Sequence, residues 1–206
     1  FYIDPVTSYR VFTSVALERF DRCCGSGCRH CPYDHQNVDV AKRIQIKREP
    51  SLQKNNDRTG PCDLLFWSGG KDSYLALRAL QEEGVRDVVL VTSFSGADHR
   101  VAHQEIPIEC IEMQAKDLGL DLLLLPLYPN TEYASRVWVG TSLLQRQRHI
   151  ERMVFGDLHL EHIRGWREKE LSFLAPLYFP LWKSDYKTLQ KKLFSEPYRH
   201  CHSERS

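Results

Sequence analysis

No apolar run in this chain approaches the roughly 20 residues that a membrane-spanning helix needs. An excess of charge of one sign is also missing. The 28 Lys and Arg residues face 27 Asp and Glu, for a net charge of +1, which argues against a general nucleic-acid or membrane-surface role. No internal repeat, low-complexity tract or secretory leader is visible, although the chain begins at Phe1 rather than Met. Cysteine is sparse outside one cluster. Four of the seven, Cys23, Cys24, Cys28 and Cys31, fall within nine residues, while Cys62, Cys110 and Cys201 are scattered. A secreted disulfide scaffold would spread its cysteines through the chain, so tight clustering favours metal binding in a reducing compartment. A cytoplasmic protein is expected.

What remains is an ordinary globular composition, 42% hydrophobic and 27% charged. A length of 206 residues accommodates one α/β domain and a small appendage. Residues 1–36 are rich in Cys, Gly, Tyr and Arg and read as a Cys-rich metal-binding module. Residues 37–62 carry scattered Lys and Arg around Pro50 and read as a short helix and an exposed linker. Residues 63–196 hold the main domain, and 197–206 lack an apolar pattern and read as a disordered tail.

Within the main domain, strand and helix patterns alternate. Strands are expected at Asp63–Trp67, Asp87–Ser93, Asp121–Leu125 and Arg152–Phe155. Helices are expected at Ser73–Glu83, Glu105–Leu118, Thr131–Arg148, Leu160–Leu171 and Asp185–Phe194, with Trp138 on the core face of the third. Strands apolar on both faces and separated by helices imply a parallel sheet covered on both sides, a doubly wound, Rossmann-like layer.

In such sheets ligands bind at the carboxyl ends of the strands. The first strand runs directly into Ser68-Gly69-Gly70-Lys71-Asp72-Ser73. Two glycines allow the backbone to come close to a ligand, two hydroxyls and the N–H groups of the next helix donate, and Lys71 adds a full charge, a set that suits a polyphosphate. Asp72 suits a helix cap or Mg²⁺. The loop is neither Walker A nor Gly-x-Gly-x-x-Gly. The bland alternative is a plain strand-to-helix turn.

This hexapeptide resembles the PP-loop of the N-type ATP pyrophosphatases, whose fold is adenine-nucleotide α-hydrolase-like. The resemblance implies ATP binding with Mg²⁺ and cleavage between the α- and β-phosphates. It also implies that Thr92, Ser93 and Phe94, at the end of the second strand, face the adenine or ribose. Further on stand Gly156-Asp157, Glu161-His162, Arg164, Trp166 and Pro180-Leu181-Trp182, with His103-Gln104-Glu105 and Gln114-Ala115 after the second strand. Together these are similar to a narrower group around diphthine–ammonia ligase. With that group's strand order of 3-2-1-4, Gly156-Asp157 is expected beside the PP-loop. The resemblance covers roughly residues 62–182. It implies that a carboxylate-bearing acceptor, a translation factor or a small molecule, is adenylated and then amidated by ammonia, with release of pyrophosphate and AMP. Lys71, Asp72, Asp157 and Glu161 are the candidate catalytic residues, and Gly156 a further nucleotide contact. Asp157 also suits a helix cap, and Glu161 a surface pair with Arg164.

The spacing Cys24-x3-Cys28-x2-Cys31, with Gly25 and Gly27 between, suits zinc or an iron–sulfur cluster, with Cys23, His30 or His35 as the fourth ligand; unliganded thiols are the alternative. The segment from Tyr2 to Asp34 resembles a small Cys-rich module of the oxidoreductase-like type. The chain departs from the ligase group by ending soon after Trp182, so it reads as truncated at its C-terminus. Two other functions remain open on these residues: another PP-loop chemistry such as tRNA modification, and a non-catalytic metal- or nucleotide-binding fragment.

Overall fold

The computed structural model describes residues 1–3, 10–44, 46, 49–85, 87–101, 104–128 and 132–194. The expected disordered tail, His103, and the start of the helix expected from Thr131 lie outside these residues. The elements run in chain order as β1 (Tyr2–Ile3), β2 (Arg10–Val11), α1 (Ser14–Leu17), α2 (Val40–Ile44), β3 (Ser51–Gln53), β4 (Cys62–Phe66), α3 (Lys71–Glu82), β5 (Val88–Ser95), α4 (Ile108–Leu118), β6 (Asp121–Leu127), α5 (Tyr133–Gln145), β7 (Ile150–Val154), α6 (Glu161–Leu171), β8 (Leu177–Tyr178) and α7 (Tyr186–Phe194). No helix among the described residues is long and apolar enough to cross a membrane.

The main sheet has the order β3-β6-β5-β4-β7-β8. Strands β6, β5, β4, β7 and β8 are parallel, and β3 pairs antiparallel with β6. This is the Rossmann-like α/β layer, with the four anticipated strands in the order third, second, first, fourth. Its central strands are apolar on both faces because helices cover both. One core cluster joins Leu65, Leu90 and Leu122 to α3 and α4 residues such as Leu77 and Ile111. The other joins Leu64, Val89 and Leu123 to Val137 and Leu144 of α5. Alternate residues of one strand feed opposite layers, as the two-residue strand period requires.

Two expectations are corrected. Ser51–Gln53, expected within an exposed linker, is an edge strand. The backbone N–H groups of Asn55 and Asn56 then donate to the fully buried Asp121 carboxylate at 2.8 and 3.2 Å. Trp138, expected in the core, is 54% exposed. Helix α5 turns Ala134, Val137, Gly140, Thr141 and Leu144 inward instead, and the small Gly140 lets the sheet residue Leu125 fill the space below it.

Candidate functional site

Strand β4 delivers the chain to the carboxyl edge of the sheet, and the loop turns there because Gly69 takes φ +75°. A Cβ at Gly69 would stand 2.5 Å from Ile111 Cδ1, so glycine is needed for space as well as for backbone conformation. The loop is tied down from three directions. Thr92 donates its hydroxyl to the Trp67 carbonyl at 2.6 Å. Trp67 Nε1 donates to Gln114 Oε1 at 2.8 Å, and Gln104 Nε2 donates to Ser68 Oγ at 3.1 Å. Ser73 donates its hydroxyl to the Gly70 carbonyl at 2.8 Å, so it braces the loop internally.

Helix α3 begins at Lys71, and the first intrahelical bond runs from the Tyr74 N–H to the Gly70 carbonyl. The first-turn N–H groups ahead of it have no partner within the helix and carry the positive end of its dipole. Lys71 Nζ lies 2.7 Å from Asp72 Oδ1, both side chains about 40% exposed. Helix α7 packs alongside, and Lys71, Asp72 and Leu75 face Tyr186 and Leu189 across a small cavity of about 190 Å³.

The Gly156-Asp157 pair arrives from β7, the neighbour of β4. A Cβ at Gly156 would lie 2.7 Å from the Asp72 carbonyl oxygen, 2.9 Å from its carbon and 3.2 Å from the Ser73 nitrogen. The segment after β7 therefore touches the start of α3 backbone to backbone. Asp157 is only 17% exposed and accepts from Arg167 Nε at 2.7 Å and Nη2 at 3.3 Å. The Arg167 guanidinium also lies 4.2 Å from the Phe155 ring centroid. Tyr133 joins this group through hydrogen bonds to Ser93 and Arg167, and burial pushes its hydroxyl pKa up.

The remaining expected site residues divide. Ser68, Gly69, Gly70, Lys71, Asp72, Ser73 and Gly156 come together. Ser93 lies at the same edge, with Tyr133 and Arg167. Thr92 is buried and committed to the Trp67 carbonyl, and Phe94 is a core residue with no exposed surface. Glu161, 78% exposed at the start of α6, has Lys183 at 3.6 Å as its ion partner. Arg164 pairs not with Glu161 but with Glu168 at 2.7 Å, and stacks 4.8 Å from the Phe179 and Trp182 rings. Tyr133 and Arg167 were not selected from sequence. An Arg ten positions after the Asp it holds has no spacing signal, because the turn between β7 and α6 makes that pair.

The four clustered cysteines stand as two close pairs. The Cys24 and Cys28 sulfurs are 3.4 Å apart, and those of Cys23 and Cys31 are 3.7 Å apart. Hydrogen bonds from Ser26 lower the Cys24 thiol pKa, whereas burial pushes Cys28 up to about 11. Among the described residues, no three His, Cys, Asp or Glu side chains already converge on one point as a metal would require. The zinc or iron–sulfur expectation is therefore not met by a preformed site.

A family described as one of unknown function, DUF5522, matches residues 1–37. The chain also resembles a solved structure described as a predicted subunit of tRNA methyltransferase from Methanocaldococcus jannaschii. That match has 22% identity over 65% of this chain and 75% of the other, with a TM-score of 0.40. Residues 63–171, more than half of the chain, match the family described as the diphthamide synthase N-terminal domain. That span contains the phosphate loop, Gly156-Asp157 and Arg167, and the chain belongs to this family of PP-loop, ATP-pyrophosphatase-type domains.

Proposed function

We propose that the chain binds ATP with its phosphates on Ser68–Ser73 and transfers AMP to a substrate carboxylate, as the first half of amide formation. The observation that carries the reading is the contact of Gly156 with the Asp72 and Ser73 backbone. It joins the loop after β4 to the segment after β7 in one cleft at the carboxyl edge of the sheet, where doubly wound folds take nucleotides. The Gly69 and Gly70 cradle, the first-turn N–H groups of α3 and Lys71 fit a polyphosphate. Asp72 beside them fits Mg²⁺, which would offset phosphate charge when bound. Ser93 lies toward the nucleoside.

The chemistry is acyl adenylation. A carboxylate oxygen bonds to the α-phosphorus and the α–β bridging bond breaks, with its electron pair leaving on pyrophosphate. Ammonia then attacks the acyl carbon, and AMP departs. The chain's contribution is positioning and charge neutralisation. The Arg167–Asp157 pair, with Tyr133 beside it, offers fixed polar contacts to an acceptor, and Glu161 stands further out, where an acceptor or ammonia would enter.

ATP labelled at the α-phosphate, incubated with Mg²⁺, ammonium and carboxylate acceptors, tests the reaction. The expected products are AMP and pyrophosphate. ADP and phosphate would refute the chemistry. Lys71→Ala is expected to weaken ATP binding at least tenfold, and unchanged affinity would refute the site.

A further inference from the structure

Among the described residues, the Cys-rich module buries little apolar surface. Among its described residues Phe1, Ile3, Phe12, Val15 and Phe20 are 44–68% exposed. Its small buried cluster consists of Cys23, Cys31 and Val38, with Cys28 and Tyr33 packed against it. Units of this size without a core need a covalent or metal staple. The loop from Cys23 to Cys31 is nevertheless well organised. Gly25 and Gly27 reverse it at φ +78° and +71°, and a Cβ at Gly25 would meet the Asn37 carbonyl at 2.9 Å. Asn37 Nδ2 donates to the Cys23 carbonyl at 2.8 Å. His35, only 1% exposed, bonds through Nε2 to the Cys28 carbonyl at 2.9 Å.

We infer that Cys23, Cys24, Cys28 and Cys31 bind one Zn²⁺ as a closed structural site. Sulfurs sharing a tetrahedral zinc at ~2.3 Å are separated by about 3.8 Å. The pairs at 3.4 and 3.7 Å are close to two edges of that tetrahedron. Cys28 is packed against the buried cluster that holds Cys23 and Cys31, so both pairs belong to one small unit. Zinc binding would close the remaining edges by drawing the pairs together, with release of the thiol protons. The site lies outside the nucleotide cleft and does not depend on the ATP reading. Its loop does reach the main domain, because Arg29, between Cys28 and Cys31, pairs with Asp98 and lies 3.9 Å from Glu105.

The full chain, purified anaerobically without chelator, is analysed for metals and titrated with Co²⁺. The expected result is about one zinc per chain, a cobalt form with the visible bands of tetrahedral thiolate ligation, and at least tenfold weaker Co²⁺ binding in Cys28→Ser. Cys110→Ser should bind as wild type. Cobalt titration of the wild-type chain stands by itself if Cys28→Ser fails to fold. Bound iron, two disulfides in the anaerobic protein, or four free thiols that bind neither Zn²⁺ nor Co²⁺ would each overturn the proposal.

Discussion

Gly156→Ala tests the contact on which the candidate site depends. The new Cβ would stand 2.7 Å from the Asp72 carbonyl oxygen and 2.9 Å from its carbon. A carbon in comfortable contact needs about 3.5 Å, so the two segments must separate by about 0.7 Å. The opposing atoms are backbone atoms of the first turn of α3, so no side-chain rotation relieves the clash. Overpacking of this kind costs about 1–3 kcal/mol, which for a chain of this size lowers Tm by roughly 2–12 °C. The displacement falls on Asp72 and Ser73, so phosphate binding should weaken by about tenfold or more, since misplacement on the order of 1 Å has effects of that order.

Thermal melting and titration with a non-hydrolysable ATP analogue are the assays. Gly165→Ala is the matched control, because nothing lies within 4 Å of a Cβ there. It sits inside α6, where alanine in place of glycine stabilises by about 0.5–1 kcal/mol. A Gly156→Ala protein that melts and binds analogue as wild type would refute the backbone contact. A protein that melts lower yet binds normally would refute the assignment of this contact to the nucleotide site.

Gly140→Ala would bring a Cβ within 2.1 Å of Leu125 Cδ2, forcing that leucine off its rotamer at a cost of about 1–3 kcal/mol, read as a lower denaturation midpoint; an unchanged midpoint would refute the packing. Arg152→Met would leave Asp63, 1% exposed, without the guanidinium that holds it at 2.5–3.2 Å. Loss of one partner of a buried pair costs about 3–5 kcal/mol, so chemical denaturation should show a loss well above that of an exposed-charge control such as Lys169→Met. Burial pushes the Cys62 thiol from 9.0 up to about 11. The folded state therefore holds this proton more tightly than the unfolded state, and the stabilisation is complete below pH 9 and lost between about 9 and 11. The loss from this group is on the order of 3 kcal/mol, and the fall in stability across that window should be smaller by about that amount in Cys62→Val when denaturation midpoints are compared.

How much of this was legible in the sequence depended on where each signal lay. Apolar runs such as Leu122–Leu125 mark buried strands, and the helix stop at Gly119, which takes φ +64°, is a local event. The short edge strand at Ser51–Gln53 escaped because three residues between Pro50 and the Asn55-Asn56 pair carry no usable period. Its strand state comes from pairing with β6 and from Asp121, 65 or more positions away. Trp138 misled for a related reason. A large aromatic on a long helix is expected inward, but α5 approaches the sheet through its small residues, so Gly140 sits over Leu125 while the indole stays outside. In the site, the hexapeptide was legible because its chemistry is contiguous. The Arg167–Asp157–Tyr133 group was not, because it is assembled from the turn after β7, α6 and the start of α5.

The glycines of the phosphate loop are usually thought of as space for a ligand, but part of that space is occupied by the protein. A Cβ at Gly69 would meet Ile111, and one at Gly70 would meet the Gln104 amide at 3.0 Å. Gln104 and Gln114, on the segment running from β5 into α4, also bond to Ser68 and to Trp67 Nε1. The loop is thus held in shape by that segment, the preorganisation that charge stabilisation at phosphates requires. The same segment carries Asp98 and Glu105, which face Arg29 of the Cys-rich loop. Only a few residues separate Arg29's partners from Gln104, and Gln104 touches the phosphate loop directly. A change in the order of the cysteine loop therefore has a short route to Ser68. Charge reversal at Asp98, which breaks the Arg29 contact without touching any loop residue, would separate that route from direct damage to the nucleotide cleft.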